Sequence, residues 1–408
     1  MGSYIREVAQ SAARSYKVLI AGCSYSGLSA AINLLEQCDK IESPIPVDVT
    51  IVDERDGFYH LIGSPLALAV KEYSEKAWVE FKDIKILQRP NVQFIQGILS
   101  KVDPASKTAT ITERSTQAIR QEKYDFFLAA TGLRRVWPVV PQSLSRKLYL
   151  QEAGKHIDAV STSTAPVLVV GGGAVGIEMA AELKVSQPHV KVTLAHSRDK
   201  LLSSEPLPDS AKECAGDLTV ESGVDLLLNH RLASSKPIKD ESGRDAYEVE
   251  FTNGHRMTAS VVIEAISRSV PSTEYFPRGA LNEEGLVNVR PTMQLVDAEA
   301  VPNAESHFAS GDLINWSGIK RCGAAMHEGK FAALNIHQLM LRDLKAKEPE
   351  FQELGEVPPM IGLAVGKSAM SCGPDGLNHG PQVMQLFFGD DLGFKICWDH
   401  LRLGGIKA

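Results

Sequence analysis

The same strand–turn–helix pattern occurs twice in this chain, about 150 residues apart. The segment KVLIAGCSYSGLSAAINLLEQ spans residues 17–37, and APVLVVGGGAVGIEMAAELKV spans residues 165–185. In each segment a β-branched run leads through a glycine-containing turn into a helical pattern. A second strand-like run follows each helix, VDVTIVDE at 47–54 and VKVTLAHS at 190–197. This repetition predicts an α/β chain with two nucleotide-binding domains, each built on a parallel sheet.

The two turns carry glycines at the spacing that a dinucleotide requires. The glycines allow the tight bend, the approach of the backbone to the pyrophosphate and close packing of helix on strand. The N-terminus of the following helix then offers free N–H groups to the phosphates. The second turn has Gly171, Gly173 and Gly176, whereas the first, GCSYSG at 22–27, has Ser24 in the middle position. We therefore expect both turns to bind phosphates. At the first turn, the side chain of Ser24 should leave less room between the backbone and the pyrophosphate.

The residue that ends the next strand helps to distinguish dinucleotides. An acidic residue there usually binds the adenosine ribose. Asp53 has this position in the first unit, whereas His196 has it in the second, with Arg198 beyond. A carboxylate at this position would repel the 2′-phosphate of NADPH. Because the second unit has His196 there instead, with the cationic Arg198 nearby, the sequence favours NADPH over NADH. A solvated strand-end charge and a surface His-Ser-Arg turn are the alternatives left open.

Composition excludes several classes of protein. The chain has 408 residues, of which 44% are hydrophobic and 23% charged, and a net charge of −7. These values are typical of a globular protein of two or three domains and give no support for nucleic-acid binding. The six cysteines include no C-x-x-C pair, so their spacing indicates neither a redox dithiol nor a metal site. Without a signal core or a run of about 18 to 20 apolar residues, we expect a cytoplasmic protein with at most peripheral membrane contact.

Further motifs indicate a family. ATG at 130–132 closes a strand, GGGAVGIE occupies the middle of the chain, and SGD at 310–312 precedes a helix. With VTLAHS and the tail DLGFKICWDHL, the chain resembles, over about residues 16–402, the apoptosis-inducing-factor-like, ferroptosis-suppressor type of NAD(P)H:quinone oxidoreductase. Type II NADH dehydrogenases are related to this family. The resemblance implies bound FAD, the use of NAD(P)H and two Rossmann-like domains.

The resemblance also implies a domain order and a set of site residues. The expected domains are an FAD domain over 16–140 and 270–358, an NAD(P) domain over 141–269 and a C-terminal region over 359–408. The expected FAD-binding residues are Gly22, Cys23, Ser24, Tyr25, Ser26, Gly27, Asp53, Leu99, Thr131, Gly132 and Asp312. The glycines of the second turn would bind the nicotinamide dinucleotide. The catalytic candidates are Glu178, Lys320 and His327.

Each catalytic candidate also has an ordinary structural explanation. If Glu178 is buried beside two cofactors, its pKa would rise and its carboxyl could exchange a proton. An acidic residue early in a helix is equally well explained by the helix dipole. Lys320 could instead be a solvated loop residue, His327 a packed helix residue, and Asp312 a turn cap.

The chain departs from the family pattern where relatives carry basic residues. Leu66 replaces an arginine that contacts the cofactor, and Phe388 replaces a lysine of the ferroptosis-suppressor branch. Ser267 stands where relatives carry glycine. Loss of the lysine removes a cation that could stabilise a reduced flavin or a quinone oxyanion. Phe388 and Trp316 could line a pocket for an aromatic substrate, with ordinary packing as the alternative.

Three functions therefore remain open at this point. In the first, FAD takes electrons from NAD(P)H and gives them to a small acceptor such as a quinone. In the second, a diverged flavoenzyme acts on an aromatic or polyketide-like metabolite, and the nicotinamide is dispensable. In the third, the chain is a regulatory flavoprotein with little turnover. The expected partner is a small-molecule acceptor or aromatic substrate, whereas the oligomeric state has no signal in the sequence.

Overall fold

The computed structural model describes residues 14–40, 44–266, 269–296, 301–345 and 347–404, so Ser267 lies outside the described residues. The helices are α1 Tyr25–Cys38, α2 Ser64–Ala67, α3 Lys71–Lys76, α4 Arg146–Ser161, α5 Ala174–Ser186, α6 Asp209–Glu221, α7 Cys322–Lys345, α8 Pro381–Phe387 and α9 Phe394–His400.

The strands are mostly short and belong to several sheets. They are β1 Tyr16–Ala21, β2 Val47–Asp53, β3 Gly57–Tyr59, β4 Trp78–Glu80, β5 Val92–Asp103, β6 Thr108–Glu113, β7 Ile119–Lys123, β8 Phe126–Ala129, β9 Leu133–Arg134, β10 Val167–Val170, β11 Val192–Ala195, β12 Asp225–Leu227, β13 Leu232–Lys239, β14 Asp245–Phe251, β15 Arg256–Ala259, β16 Val261–Glu264, β17 Val270–Pro271, β18 Val287–Asn288, β19 His307–Ala309, β20 Ile314–Asn315, β21 Ile361–Val365, β22 Ser368–Gly373 and β23 Gly376–Gly380.

The largest sheet joins two distant segments of the chain. Its order is β19-β8-β1-β2-β5-β6-β7; the strands from β19 to β5 are parallel, and β6 and β7 are antiparallel. Strands β1 and β8 are apolar and almost wholly buried, as expected for parallel strands covered on both faces. Because β19 comes from residues 307–309, a segment beyond the second unit completes a sheet begun by the first. The boundaries at 140, 270 and 358 stay a prediction.

The second unit has its own sheet. Strands β12-β11-β10-β16 are parallel, and β13-β14-β15 form a separate antiparallel sheet. Helix α5 leaves the second turn directly after β10. The carboxyl ends of β10 and β11 therefore meet at one edge, where ligands of open α/β sheets bind.

Helix α7 packs closely on α1 and brings the SGD motif to the first turn. The Oγ atoms of Ser26 and Ser310 lie 2.6 Å apart, and Ser29 Oγ donates to the carbonyl of Met326 at 2.6 Å. At Gly329, a Cβ atom would lie 2.2 Å from the carbonyl oxygen of Ser26. The helices can approach this closely because Gly329 has no side chain.

The C-terminal residues pack back onto the first domain. Strands β21-β22-β23 form an antiparallel sheet, and α8 and α9 follow it. The loop before α9 is held by three contacts: His60 Nε2 lies 3.0 Å from the Leu392 carbonyl, Tyr73 Oη donates to the Asp391 carbonyl at 2.6 Å, and Lys76 pairs with the Asp391 carboxylate at 2.6 Å. Among the residues that the structure describes, no helix is both long and apolar enough to cross a membrane.

The contact between α1 and α7 predicts opposite effects of one substitution at two helical glycines. We expect Gly329→Ala to lower the thermal unfolding midpoint, because the added methyl overlaps the Ser26 carbonyl and overpacking costs about 1–3 kcal/mol. Gly216→Ala in α6 is the control: its Cβ would meet nothing within 4 Å, so the higher helix propensity of alanine should leave the midpoint equal or raised. Equal behaviour of the two variants in a thermal melt would contradict the close packing.

Candidate functional site

A cleft of about 1550 Å³ lies between the two nucleotide-binding units and the C-terminal region. Both glycine turns line it, through Ser24–Ser26 and Gly171–Gly173. Its volume exceeds the range of about 300–1,000 Å³ that is typical of a pocket for one small ligand. The cleft is therefore large enough for parts of two ligands at once.

The first turn is closed against the strand beside it. A Cβ at Gly22, where φ is +93°, would lie 2.4 Å from the Ala130 carbonyl oxygen, and a Cβ at Gly27 would lie 1.9 Å from the Gly22 carbonyl oxygen. The second turn repeats this contact, because a Cβ at Gly176 would lie 1.8 Å from the Gly171 carbonyl oxygen. A Cβ at Gly173 would meet nothing within 4 Å, so its backbone is open to a ligand.

Both turns point an uncapped helix N-terminus at the cleft. The N-cap residues of α1 and α5, Ser24 and Gly173, make no side-chain capping hydrogen bond. Helix N-termini carry unsatisfied N–H groups and a partial positive charge that favour a bound anion. This arrangement fits the phosphates of two dinucleotides.

In each unit the side chain that ends the second strand is hydrogen-bonded to the turn. Asp53 accepts the N–H of Cys23 at 2.7 Å and that of Arg55 at 2.9 Å, while burial raises its pKa. His196 accepts the N–H of Gly172 through Nδ1 at 3.0 Å, and its Nε2 lies 2.9 Å from Ser203 Oγ. Both strand-end residues thus fix the position of their turn. A ribose contact by Asp53 stays a prediction.

Further residues of the first domain bring polar atoms to the cleft. Thr131 and Gly132 line it, and Thr131 Oγ1 donates to the Ser272 carbonyl at 2.7 Å. Asp312 also lines the cleft and pairs with Arg135 at 3.1 Å. Nearby, Arg55 Nε is buried and has no hydrogen-bond partner among the described residues. A buried guanidinium nitrogen of this kind fits an anionic group of a bound cofactor.

Glu178 lies on the cleft face of α5 as a half-buried carboxyl. Burial raises its pKa to about 8, even though the N–H of Ala364 donates to Oε1 at 3.3 Å. One turn later, burial raises the pKa of Glu182 to about 7, but the cleft-lining residues do not include it. At neutral pH Glu178 therefore presents a mostly protonated carboxyl to the cleft and can donate a proton there.

Lys320 reaches the cleft beside a second buried carboxyl. Its ammonium donates to the Ile314 carbonyl, and burial lowers its pKa. Glu328 accepts the N–H of Gly311 at 2.7 Å, and burial raises its pKa to about 7. Lys320 is therefore held in place rather than solvated on a free loop.

The structure does not bring every candidate to the cleft. His327 lies on the exposed face of α7 against Phe331, with ring centroids 4.5 Å apart, because helical periodicity directs its neighbour Glu328 inward instead. Leu99 is buried in the core on β5 and does not line the cleft, so its predicted contact with FAD has no support in this geometry. Trp316 lines a small adjacent pocket and donates to the Gly355 carbonyl at 3.3 Å.

Several cleft residues had no signal in the sequence. Arg55, Arg135 and Arg231 line the cleft but belong to no motif, and Cys397 comes from the distant α9. Tyr25 belongs to the first turn, yet its hydroxyl lies 3.1 Å from His60 Nδ1, a contact that depends on the strand pairing of β3. A fold is required before these residues can be assigned to one site.

Comparisons with known proteins agree with this geometry. The family model described as pyridine nucleotide-disulphide oxidoreductase matches residues 16–329. The chain is 45% identical to oxidoreductase OXR1 of Ajellomyces capsulatus, over 97% of this chain and 89% of that protein. It is 25% identical to ferroptosis suppressor protein 1 of Mus musculus, over 81% of this chain and 83% of that protein.

A solved structure shares the fold. The water-forming NADH oxidase from Lactobacillus brevis, bound to NADH, superposes with a TM-score of 0.66 at 18% identity, over 88% of this chain and 75% of that chain. The expected α/β fold and the family resemblance are thereby confirmed. The chain belongs to the pyridine nucleotide-disulphide oxidoreductase family and is an NAD(P)H-dependent flavoenzyme.

Proposed function

We propose that this enzyme takes electrons from NADPH through FAD and reduces a small, planar, apolar acceptor, with quinones as the first class to test. The observation that carries the proposal is the composition of the cleft described above. It combines two uncapped helix N-termini, a protonated carboxyl at Glu178 and an apolar region from the C-terminal residues.

The first turn, Thr131, Gly132 and Asp312 would hold the FAD, with Arg55 facing its charged groups. The second turn would hold the nicotinamide dinucleotide. When bound, FAD supplies the redox chemistry by taking two electrons from NADPH and giving them to the acceptor. The protein positions both dinucleotides and keeps a proton available at the Glu178 carboxyl.

The proposed acceptor site is apolar. We define the C-terminal wall as Leu386, Phe387, Phe388 and Ile396, all of which line the cleft. Phe388 is 8% exposed and packs in a small cluster against which Leu66 lies, whereas Leu386 is 72% exposed. An apolar wall with few polar groups suits a planar apolar ligand. The same wall supports the second candidate, an aromatic metabolite as substrate, so an acceptor panel must include both classes.

We expect the purified protein to be yellow, to release FAD on denaturation and to bleach anaerobically with NADPH. Flavin identity is read by mass spectrometry of the denatured supernatant, and reduction is read from the flavin absorption bands. Reoxidation by quinones and by aromatic carbonyl compounds then ranks the acceptors. Folded protein that contains no FAD even after refolding with it would overturn the proposal, whereas FAD that neither nicotinamide bleaches would favour a low-turnover regulatory flavoprotein.

The preference for NADPH is supported by cations near the end of β11. Burial lowers the pKa of His196, and the positive charges of Arg198 and Arg231 lower it further. Both positive charges therefore lie near the position where a strand-end carboxylate would bind the ribose of NADH. Arg231 also lines the cleft.

Removal of these two cations is expected to change the dinucleotide preference. A charge-assisted hydrogen bond contributes about 1.5–3 kcal/mol, so the double variant Arg198→Ala, Arg231→Ala should lose about tenfold or more in kcat/KM for NADPH, with little change for NADH. The matched control is Arg256→Ala, an exposed arginine of the neighbouring sheet that pairs with Glu250 at 3.0 Å. An unchanged NADPH-to-NADH ratio in the double variant would contradict the assignment.

Glu178→Gln is expected to change the pH dependence of turnover. Below its pKa of about 8 the wild-type carboxyl is protonated, so proton donation should decline as the pH rises through 8. The amide of glutamine cannot supply this proton, so we expect turnover to be about 10²- to 10⁴-fold slower. The decline of turnover as the pH rises through 8 should also be absent from this variant. Steady-state kcat profiles from pH 6 to 9.5 measure both effects, with FAD content as the check on folding.

Glu182→Gln is the control, because Glu182 is a buried carboxyl of the same helix that does not line the cleft. Both native pKa values are raised above the ordinary 4.5, so the folded state binds more protons and stability falls as the pH rises from about 4.5 to 7–8. The thermal midpoint of each variant should therefore fall less than that of the wild type as the pH rises from about 4.5 to 7–8. Only Glu178→Gln should change turnover. Similar kinetic losses in both variants would contradict a catalytic proton at Glu178.

A further inference from the structure

A chain of hydrogen bonds links the first glycine turn to the C-terminal helix. Tyr25 is the first residue of α1 and lines the cleft, and its hydroxyl lies 3.1 Å from His60 Nδ1. On the other side of the ring, His60 Nε2 lies 3.0 Å from the carbonyl oxygen of Leu392, in the loop before α9. His60 is wholly buried and does not line the cleft. It therefore connects the turn to α9 from inside the protein.

The direction of these hydrogen bonds is fixed by the carbonyl at the end of the chain. Burial lowers the pKa of His60 to about 4, so its ring is neutral at physiological pH, with one donor and one acceptor nitrogen. A carbonyl only accepts, so Nε2–H donates to Leu392 and Nδ1 accepts the hydroxyl proton of Tyr25. The Tyr25 oxygen in turn accepts the N–H of Ile62 at 3.4 Å. Loss of one member would leave a buried neighbour without its partner.

Aromatic ring contacts follow the same path. Phe58 packs edge-on against Tyr25, with ring centroids 5.2 Å apart, and its ring lies 6.2 Å from that of Trp398 in α9. The His60 ring lies 5.2 Å from that of Phe394, also in α9. All five rings are buried, and a closely packed interior transmits a displacement of one side chain to its neighbours. The position of the Tyr25 side chain is therefore coupled to α9 by packing as well as by hydrogen bonds.

The C-terminal region is also held by contacts that bypass His60. Tyr73 Oη donates to the Asp391 carbonyl at 2.6 Å, and Lys76 pairs with the Asp391 carboxylate at 2.6 Å. Beyond α9, Arg402 pairs with Glu36 of α1 at 2.8 Å. These contacts keep α9 attached when the chain through His60 is broken, and Tyr73 supplies a matched control.

We propose that Tyr25 and His60 are positioning residues that couple the binding of FAD at the first turn to the docking of α9 and the loop before it. The free N–H groups at the start of α1 are those that the phosphates would bind, and Tyr25 is the first residue of that helix. A bound phosphate fixes these residues, so the Tyr25 hydroxyl holds His60 where the Leu392 carbonyl requires it.

This coupling has two consequences. Docking of α9 strengthens FAD binding by the same factor by which FAD strengthens docking, because coupling between two sites is reciprocal. Ile396 of α9 belongs to the C-terminal wall, so FAD binding would also complete the wall. The proposal rests on bound FAD and is independent of the nicotinamide and the acceptor.

The experiment measures amide hydrogen exchange of α9 in the full-length protein at free FAD concentrations below and above the Kd for FAD. In the wild type we expect saturating FAD to slow exchange of the α9 amides about fivefold or more, as is typical of coupled sites. Tyr25→Phe keeps the ring and removes only the hydroxyl, and His60→Leu removes both hydrogen bonds of the ring. In both variants FAD should still slow exchange at the first turn but no longer at α9.

Tyr73→Phe is the matched control, because it removes a hydroxyl that holds the same loop through Asp391 instead of through His60. We expect faster exchange of the α9 amides at every FAD concentration, but the same slowing factor on FAD binding as in the wild type. A merely structural role of Tyr25 and His60 would give this same pattern in their variants, so the FAD-dependent factor separates positioning from stability.

The rate of FAD release from the holoprotein is the second measurement, and it does not require the variants to fold without FAD. Recovery of flavin fluorescence on dilution should be about fivefold faster or more in Tyr25→Phe and His60→Leu, and unchanged in Tyr73→Phe. Because His60 does not line the cleft, its effect on FAD is indirect.

Three results would overturn the coupling. They are a wild type whose α9 amides exchange equally with and without FAD, a wild-type slowing factor in Tyr25→Phe or His60→Leu, and FAD release that is unchanged in both variants. None of these measurements uses a nicotinamide or an acceptor, so they are separate from the test of the proposed reaction.

Discussion

The site depends on a hydrogen bond that occurs once in each nucleotide-binding unit. The N–H after the first turn glycine donates to the side chain that ends the next strand: Cys23 to Asp53 at 2.7 Å, and Gly172 to His196 at 3.0 Å. A glycine turn is conformationally free by itself, so a fixed partner is needed to hold it. With the turn held against the sheet, the following helix N-terminus faces the cleft and can bind phosphate.

The local electrostatics of the cleft differ from those of the whole chain. The net charge is −7, which alone would disfavour an anionic dinucleotide. Within the cleft, however, the helix N-termini and Arg55 are positive, and burial raises the pKa of Glu178 to about 8. Because a carboxyl with a pKa of about 8 is mostly uncharged at neutral pH, Glu178 adds little negative charge to the cleft where the phosphates would bind.

The C-terminal region decides the character of the acceptor side. Its loop is held through Leu392 by His60, whose pKa burial lowers to about 4, so the ring stays neutral at physiological pH. Phe388 and Leu66, both of which replace basic residues expected from the family pattern, lie against the same apolar cluster. One retained cation in that cluster would be buried without a partner, at considerable cost, which explains physically why both positions are apolar together.

The sequence by itself determined the two strand–turn–helix units, the α/β class and the glycines, because these depend on local periodicity and on backbone sterics that neighbouring residues encode. Glu178, which the family resemblance indicated just after the second turn, lines the cleft, and its catalytic role stays a prediction. The tertiary structure alone decided which side of α7 is buried, and it directs Glu328 inward and leaves His327 exposed. It also brought Cys397 of α9 into the lining of the cleft, because contacts between segments so far apart depend on how the C-terminal helix packs, and no local pattern records that packing.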